Sequence, residues 1–291
     1  MSYLSKIVAL NNGDTEGFLP FVIGGRHVGN IAPAFAARLK AFPRQFVVTD
    51  QMVVLNPEVH DFDARSAALA EVLAALHRDG VVAQLLGELY PVTDGRREHA
   101  LCLIDRGVIG YFGIAAYGQH LNGYVGAGER MKMWIGTRAR DRHLYPGKLD
   151  QLVAGGLPWG ISLADNLAKE CQEEAGMSAE LAAGATPVGA ITYFAETPRG
   201  LKPDILYCYD LALSADFQPV CTDGEVESFE LMPIQEVIER VRETQDFKPN
   251  CDLVIIDFLI RHGLIGPDDP DYLAIQAGLH AGVKGIGAML L

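Results

Sequence analysis

The sequence predicts a protein of mixed strands and helices, in the α+β or α/β class, and three observations lead to this prediction. Short apolar runs flank glycine turns, as at Gly24-Gly25, which is typical of β-hairpins. Other segments, such as residues 63–77, carry apolar residues at helical spacing. With 291 residues, of which 49% are hydrophobic, the chain can bury the core of one large domain or two modest ones.

In the first part of the chain, strands and helices follow one another at short intervals. One helix begins at Pro33 and a longer one ends before Gly80. Segment 101–114 fits a strand or a helix equally well. The predicted strands are residues 18–23, 27–31, 46–48 and 52–55, and the predicted helices are residues 33–39 and 63–77.

A shift in composition to glycine and alanine at residues 112–120 predicts a domain boundary. It divides the chain into a smaller N-terminal domain, residues 1–118, and a second domain, residues 119–291. In the second domain a hairpin turns at Gly126-Ala-Gly128. The predicted strands here are residues 123–125, 131–137, 151–154, 187–194 and 205–213, and the predicted helices are residues 163–175, 234–243 and 251–261.

Charge and cysteine content argue against several classes of protein. The net charge of −13 makes non-specific binding to nucleic acid or to an anionic membrane unfavourable, so we expect neither partner. The five cysteines form no Cys-x-x-Cys pair, which argues against a disulfide framework or a zinc site. Because no apolar stretch reaches the ~20 residues of a membrane span and the first residues do not resemble a signal peptide, we expect a cytoplasmic protein.

The strongest helix signal lies in residues 163–175. Ser162 is a good N-cap residue, and Asp165 three positions later comes close to completing a capping box. Apolar side chains recur every four residues and form one buried stripe, while Gly176 suits the C-terminal cap. A glycine-rich loop with Gly155, Gly156 and Gly160 precedes the helix and allows close approach of a ligand to the backbone.

Glu170, Glu173 and Glu174 share one face of this helix, at i, i+3 and i+4. Carboxylates at a helix C-terminus face the negative end of the helix dipole, which costs roughly 0.3–1 kcal/mol each, and they also repel one another. A divalent cation relieves both penalties, and carboxylate oxygens suit Mg²⁺ or Mn²⁺. A solvated acidic face explains the three charges equally well, but the glycine loop beside them favours a metal site.

Loop, helix and carboxylates together resemble the Nudix box, G-x5-E-x7-R-E-U-x-E-E-x-G-U, where U is apolar. Gly155, Glu170, Glu173, Glu174 and Gly176 match in register, and Cys171 and Met177 fill the apolar positions. Two positions depart from the pattern. Lys169 replaces arginine and loses its planar two-pronged donor, while Ile161 replaces the first glutamate. We expect these departures to weaken activity without abolishing it.

Other stretches are similar to one Nudix branch with an extra N-terminal domain, which includes the Nudix portion of fungal thiamine pyrophosphokinases and plant chloroplast Nudix proteins. These stretches are 119–125 (QHLNGYV), 145–150 (YPGKLD), 223–227 (DGEVE), 247–250 (FKPN) and 257–263 (DFLIRHG). The resemblance implies an α/β/α Nudix sandwich with a mixed sheet, Mg²⁺ or Mn²⁺ as cofactor, and hydrolysis of a diphosphate linkage in a small molecule. Thiamine diphosphate or its oxidised analogues is the leading substrate class. ADP-ribose or another nucleoside diphosphate derivative is the alternative substrate, and a non-catalytic ligand-binding module is the alternative function.

By position in the box, the resemblance implies that Glu170 is the general base, with Lys169 as electrostatic support and Glu170, Glu173 and Glu174 as metal ligands. Glu225 and Glu227 are second candidates for the base, because many relatives place an acidic loop residue near the metals.

The expected substrate-binding residues are Gly155, Gly156, Lys148, Trp159 and His120. Arg138 and Arg140 are alternative phosphate ligands, and Tyr193, Phe194 and Phe229 are alternative aromatic platforms. An apolar segment at residues 272–279 precedes a glycine-spaced end and is expected to pack against another surface. A homodimer is one arrangement that would bury it.

Overall fold

The computed structural model describes residues 2–282. The helices are α1 Tyr3–Leu10, α2 Pro33–Leu39, α3 Phe62–Arg78, α4 Ile109–Phe112, α5 Leu163–Ala175, α6 Ala179–Ala182, α7 Ile234–Glu243, α8 Pro249–Arg261 and α9 Tyr272–Gly278. The strands are β1 Leu19–Ile23, β2 Arg26–Ile31, β3 Phe46–Val48, β4 Val53–Leu55, β5 Leu89–Val92, β6 Cys102–Asp105, β7 Ala116–Val125, β8 Lys132–Arg138, β9 Leu149–Asp150, β10 Val153–Gly156, β11 Thr186–Thr197, β12 Gly200–Ala212 and β13 Val226–Pro233.

The N-terminal region (residues 2–116) contains a four-stranded sheet in the order β2-β1-β4-β3 and a two-stranded ribbon, β5-β6. The predicted hairpin is confirmed: β1 and β2 pair as antiparallel strands, and Gly24 and Gly25 form the turn between them. Their φ angles of 56° and 80° lie in the left-handed region, which glycine adopts at little energetic cost. The ambiguous segment 101–114 contains strand β6 followed by a short 3₁₀ turn and α4. The buried stripe of α3 packs against β6 and the sheet in one apolar core.

The second part of the chain is built on a mixed seven-stranded sheet. Its main order is β11-β12-β7-β8-β13, with β10 paired to β7 and β9 paired to β8. Strands β12 and β7 run parallel, whereas the other pairs are antiparallel. Helix α5 packs on one face through Leu167 and Cys171, and the apolar α8 packs on the other. The α/β/α sandwich that the resemblance implied is therefore confirmed.

Four strands differ from their predicted bounds by more than one residue, and the longest shift is in the strand expected at 123–125, which begins at Ala116. The strands expected at 187–194 and 205–213 form one long hairpin, because β11 and β12 continue to a tight turn between Thr197 and Gly200. The strand expected at 151–154 begins at Val153 instead. Strand β13 was not predicted, because Glu227 and Glu230 lie between its buried residues Val226 and Met232 and interrupt the apolar pattern.

Helix α1 packs against both α8 and α9, and buried residues of all three helices join the same apolar core. Lys6 of α1 forms a buried ion pair with Asp252 of α8, at 3.1 Å. The apolar tail packs within its own chain, because Ile275 and Leu279 are fully buried there. A homodimer and the division of the chain after residue 118 stay predictions, and most of the glycine-spaced end, residues 283–291, lies outside the described residues.

Within residues 2–282, no helix combines the length and the apolar character that a membrane crossing requires.

Candidate active site

Helix α5 begins and ends as its sequence predicts. The Ser162 hydroxyl accepts a hydrogen bond from the Asp165 backbone N–H at 3.0 Å and donates to the Asp165 carboxylate at 2.6 Å. At the other end Gly176 adopts a left-handed conformation, with φ of 64°, and its N–H bonds back into the helix. These two caps fix the helical phase, and with it the direction of the acidic side chains.

The three box carboxylates, Glu170, Glu173 and Glu174, differ sharply in exposure. The side chain of Glu170 is 15% exposed and that of Glu173 is 48% exposed, whereas Glu174 is only 6% exposed. The Lys169 ammonium lies between the first two, 3.2 Å from Glu170 Oε1 and 2.7 Å from Glu173 Oε2. Lys169 therefore supplies the positive charge that links these two carboxylates.

Strand β10 presents its edge to the acidic end of α5. The backbone N–H of Ala154 donates to Glu174 Oε2 at 2.8 Å. A Cβ atom at Gly155 would lie 2.3 Å from Glu170 Cδ, a distance that non-bonded carbon atoms do not reach. Glycine is therefore required at position 155 so that the carboxylate of Glu170 can approach the strand.

Burial gives two of the box carboxylates unusual proton affinities. Burial raises the pKa of Glu174 to about 8, and the charges of Asp150 and Glu170 add to this rise. Burial also raises the pKa of Glu170; Lys169 opposes the rise, while Glu173 and Glu225 reinforce it. A hard divalent cation at this cluster would favour both ionised forms, so the donor set fits Mg²⁺ or Mn²⁺.

Of the acidic segment that contains Glu225 and Glu227, the first residue, Glu225, lies near the box carboxylates. Glu225 precedes β13, its charge raises the pKa of Glu170, and Arg142 pairs with it at 2.6 Å. Glu227 lies farther along the strand and faces Arg140 at 3.6 Å. Of the two residues, Glu225 is the one whose charge acts on Glu170.

A second polar cluster, the Asp150 cluster (Asp150, Arg138, Lys248, Cys251 and His120), lies between the sheet and α8, with Asp150, Cys251 and His120 buried and the two cations partly buried. Asp150 Oδ2 lies 3.0 Å from Arg138 Nη1 and 3.2 Å from Lys248 Nζ. The Cys251 thiol donates to Asp150 Oδ1 at 2.7 Å. Although burial opposes ionisation, the charge of Lys248 and these other contacts lower the pKa of Asp150 to about 2.

The ligand atoms of His120, Asp150 and Cys251 all lie within 4.8 Å of one another, a spacing that could hold a metal ion. However, His120 Nδ1 already contacts Gln151 Oε1 at 2.7 Å, and burial lowers the pKa of His120 to about 4. Asp150 is already neutralised by two cations. These contacts favour an internal ion cluster over a metal centre, and they account for His120 without a ligand.

The predicted phosphate-binding cations are engaged elsewhere. The Lys148 ammonium donates to the backbone carbonyl of Gln245. Arg138 is bound to Asp150, and Arg140 lies on the surface beside Glu227. The structure does not place these three side chains against the box carboxylates.

Trp159 and Gly156 lie where the glycine-rich loop meets the N-terminal region. The Trp159 backbone N–H donates to the Leu89 carbonyl at 2.8 Å, and its ring centroid lies 6.1 Å from that of Phe62. A Cβ atom at Gly156 would meet the Tyr90 hydroxyl at 2.0 Å. Of the predicted aromatic platforms, Trp159 is 36% exposed, whereas Tyr193 and Phe194 are buried.

Three side chains of the N-terminal region that sequence reasoning missed approach this loop: Tyr90, Arg97 and Arg106. Arg106 Nη1 would lie 2.9 Å from a Cβ atom at Gly156, and Arg97 donates to loop carbonyls. The local sequence carries no signal for these contacts, because the three residues lie 50 to 66 positions before Gly156.

Comparison with known families divides the chain between two family models. Residues 2–116 match a domain of unknown function, DUF4743, and residues 126–251 match the model described as NUDIX domain.

Three relatives match most of the chain. Nudix hydrolase 24, chloroplastic, from Arabidopsis thaliana is 43% identical, over 96% of this chain and 78% of the relative. Nudix hydrolase 20, chloroplastic, from the same plant is 42% identical, over 95% of this chain and 77% of the relative. An uncharacterized protein of Saccharomyces cerevisiae is 32% identical, over 82% of this chain and 74% of its own length.

The two plant names overturn one expectation. A cytoplasmic location was expected from composition and from the first residues, but both plant relatives are named as chloroplastic, so that prediction is wrong. Net charge and hydropathy describe solubility and do not encode a compartment. The family assignment from the box is confirmed: the chain belongs to the Nudix hydrolase family and is a pyrophosphohydrolase.

Proposed function

We propose that this chain hydrolyses the diphosphate linkage of thiamine diphosphate or its oxidised analogues, with Mg²⁺ or Mn²⁺ as cofactor. Water adds to one phosphorus atom and the bridging oxygen leaves with the other phosphate, so that a monophosphate and orthophosphate are formed. The observation that carries the reaction class is the placement of Glu170 and Glu174 against β10, where Gly155 allows close approach, with Glu173 joined to Glu170 through Lys169.

The three box carboxylates would hold the cation. When bound, a divalent cation neutralises diphosphate charge and lowers the pKa of a coordinated water. Glu170 is the proposed general base: burial raises its pKa, which improves its ability to accept a proton near neutral pH. Lys169 holds Glu170 and Glu173 in a common orientation. Glu225 is the second candidate for the base, because its charge acts on Glu170.

Trp159 supports the substrate class. It lies on the glycine-rich loop three residues after Gly156, and the residue is partly exposed. A thiazolium ring is cationic, and tryptophan offers the best aromatic face for a cation. Lys148 and His120 have no part in this proposal, since other contacts account for both side chains.

Phosphorus NMR tests the proposal directly. Wild-type protein is incubated with Mg²⁺ or Mn²⁺ and, in separate samples, with thiamine diphosphate, oxothiamine diphosphate, ADP-ribose, NADH and nucleoside triphosphates. The expected result is metal-dependent conversion of a thiamine diphosphate substrate into a monophosphate and orthophosphate. Turnover of ADP-ribose or NADH alone would retain the diphosphate chemistry and refute the thiamine substrate class.

The matched control is Glu173→Gln, because Glu173 is exposed and its replacement preserves side-chain shape. We expect this variant to fold normally and to lose turnover. Undiminished metal-dependent turnover in Glu173→Gln would refute the metal assignment. Absence of turnover with every substrate would favour a ligand-binding module, and thermal-shift titration with the same compounds would then identify its ligand.

A further inference from the structure

The N-terminal region holds the box loop, residues 156–161, from outside the sandwich. Arg97 makes the most direct contact, because its Nη2 group donates to the carbonyl oxygens of Pro158 at 2.5 Å and of Ile161 at 3.0 Å. One guanidinium thus joins two carbonyl groups three residues apart. Charged donors form strong hydrogen bonds, and a rigid planar group fixes the relative position of its acceptors.

Two further contacts hold the same loop to the N-terminal region. The Leu89 carbonyl accepts a hydrogen bond from the Trp159 backbone N–H at 2.8 Å, and the Phe62 ring packs near the Trp159 ring. Tyr90 occupies the space that a side chain at position 156 would fill. The loop is therefore contacted near its beginning, at its middle and at its end.

The end of the loop is where this chain departs from the family pattern. Ile161 occupies the place of the first glutamate of the box, and its side chain packs with Tyr117, Leu157 and Ile205 in a small apolar cluster. An isoleucine cannot accept or donate hydrogen bonds through its side chain. The backbone carbonyl of Ile161 accepts a hydrogen bond from Arg97, which belongs to the N-terminal region.

The position of the loop affects the box carboxylates because the residues that flank the loop on each side contact or cap the helix that carries them. Gly155 comes immediately before the loop and lies against Glu170. Ser162 comes immediately after it and caps the helix that carries all three glutamates. A shift of the loop would therefore change the position of Gly155 relative to Glu170, and errors of about 1 Å in such geometry reduce turnover by about 100-fold.

We propose that the N-terminal region acts as a clamp on the box loop and that Arg97 is its positioning residue, which compensates for the missing first glutamate of the box. The role in turnover rests on the proposed function, whereas the role in loop geometry does not. This assigns a function to the part of the chain that matches the domain of unknown function.

The experiment compares Arg97→Ala and Arg97→Lys with the wild type in the full chain. Arg96→Ala is the matched control, because Arg96 is the exposed neighbour of Arg97 and its replacement removes the same charge. Acrylamide quenching of tryptophan fluorescence reports on the loop: of the two tryptophans, Trp134 is buried and Trp159 is partly exposed. Titration with Mn²⁺, followed by electron paramagnetic resonance, reports on the box carboxylates without any substrate.

In Arg97→Ala we expect the quenching constant to rise about twofold and the Mn²⁺ dissociation constant to rise about tenfold, the effect typical of a lost supporting contact. We expect kcat to fall about 10- to 100-fold with KM changed less than about threefold, since the loss concerns alignment. Arg97→Lys, which keeps the donors, should recover part of each effect. Arg96→Ala should match the wild type.

Wild-type quenching and Mn²⁺ affinity in Arg97→Ala would overturn the clamp, and so would equal changes in Arg97→Ala and Arg96→Ala. If Arg97→Ala does not fold, Arg97→Gln takes its place under the same criteria, because it removes the charge and keeps an amide donor. Failure of the proposed function is distinguishable, since lack of turnover in the wild type leaves the quenching and Mn²⁺ results valid.

Discussion

The Asp150 cluster and the box carboxylates both place acidic side chains beside the same sheet, yet they solve the problem of buried charge in opposite ways. Asp150 is buried with two cations in contact, and its pKa is lowered to about 2. Glu174 is almost as buried and accepts a backbone hydrogen bond, but burial raises its pKa to about 8. The Asp150 carboxylate is neutralised by cations of the protein itself, whereas ionised Glu174 has no cationic side chain bonded to it among the described residues.

This difference separates a structural ion cluster from a site for an external cation. A buried acid with internal counter-cations needs no metal, and removal of the acid leaves buried cations without a partner. A buried acid with a raised pKa gains most from a cation that arrives from solution. Four variants or conditions sharpen or break this contrast.

Asp150→Asn should have the largest effect, on stability. The change leaves the largely buried Arg138 and Lys248 without their counter-charge, which costs about 3 kcal/mol in the free energy of unfolding. Urea unfolding at about neutral pH, followed by circular dichroism, measures the loss. A loss below about 1 kcal/mol would mean that Asp150 does not neutralise these cations.

Glu174→Gln should affect turnover and leave stability nearly intact. The amide keeps the size of the side chain and needs no counter-cation, so metal-free stability should equal or exceed that of the wild type. Loss of a metal ligand should lower kcat about 100-fold, equivalent to about 2.7 kcal/mol. Steady-state turnover and urea unfolding in EDTA provide the two measurements. Destabilisation comparable to that of Asp150→Asn would abolish the contrast between the two sites.

The stability of the metal-free protein should depend on pH through Glu174. Its folded pKa of about 8 lies above the ordinary value of 4.5, so its stabilising contribution is complete below pH 4.5 and is lost as pH rises through 8. We expect wild type to lose on the order of 3 kcal/mol relative to Glu174→Gln between pH 5 and 8.

The measured quantity is the difference in free energy of unfolding between wild type and Glu174→Gln, because other groups titrate in the same pH range and contribute equally to both proteins. Burial raises the pKa of Asp252 to about 7, which adds a change of the same sign. Burial lowers the pKa of His120 to about 4, which acts in the opposite direction. Unfolding curves at several pH values in EDTA give the difference, and parallel curves for the two proteins would contradict the assignment to Glu174.

Lys169→Arg should have the smallest effect. It restores the family residue, whose planar guanidinium can contact Glu170 and Glu173 through separate nitrogen atoms. Since lysine already bonds both carboxylates, we expect kcat to rise only about two- to fivefold. Initial rates at saturating Mg²⁺ measure the change. A decrease in kcat would show that the site is adapted to the lysine ammonium and not to the larger guanidinium.

The parts of the molecule that the sequence predicted well depend on local patterns. Caps, glycines and the i, i+3, i+4 spacing of the glutamates specify α5, and the structure reproduces its bounds. Strand β13 was missed because its buried residues are interrupted by glutamates. The Asp150 cluster was missed because Lys248 and Cys251 lie 98 and 101 positions away from Asp150.

By itself, the sequence determined the Nudix box, the helix that carries its carboxylates and the mixed strand and helix composition of the fold. These follow from residues within a few turns or one hairpin of each other, where periodicity and capping act. Only the tertiary structure decided which acid obtains internal cations and which does not. It also decided that Arg97 reaches the box loop, because contacts between distant segments depend on how sheets and helices pack, and no local pattern records them.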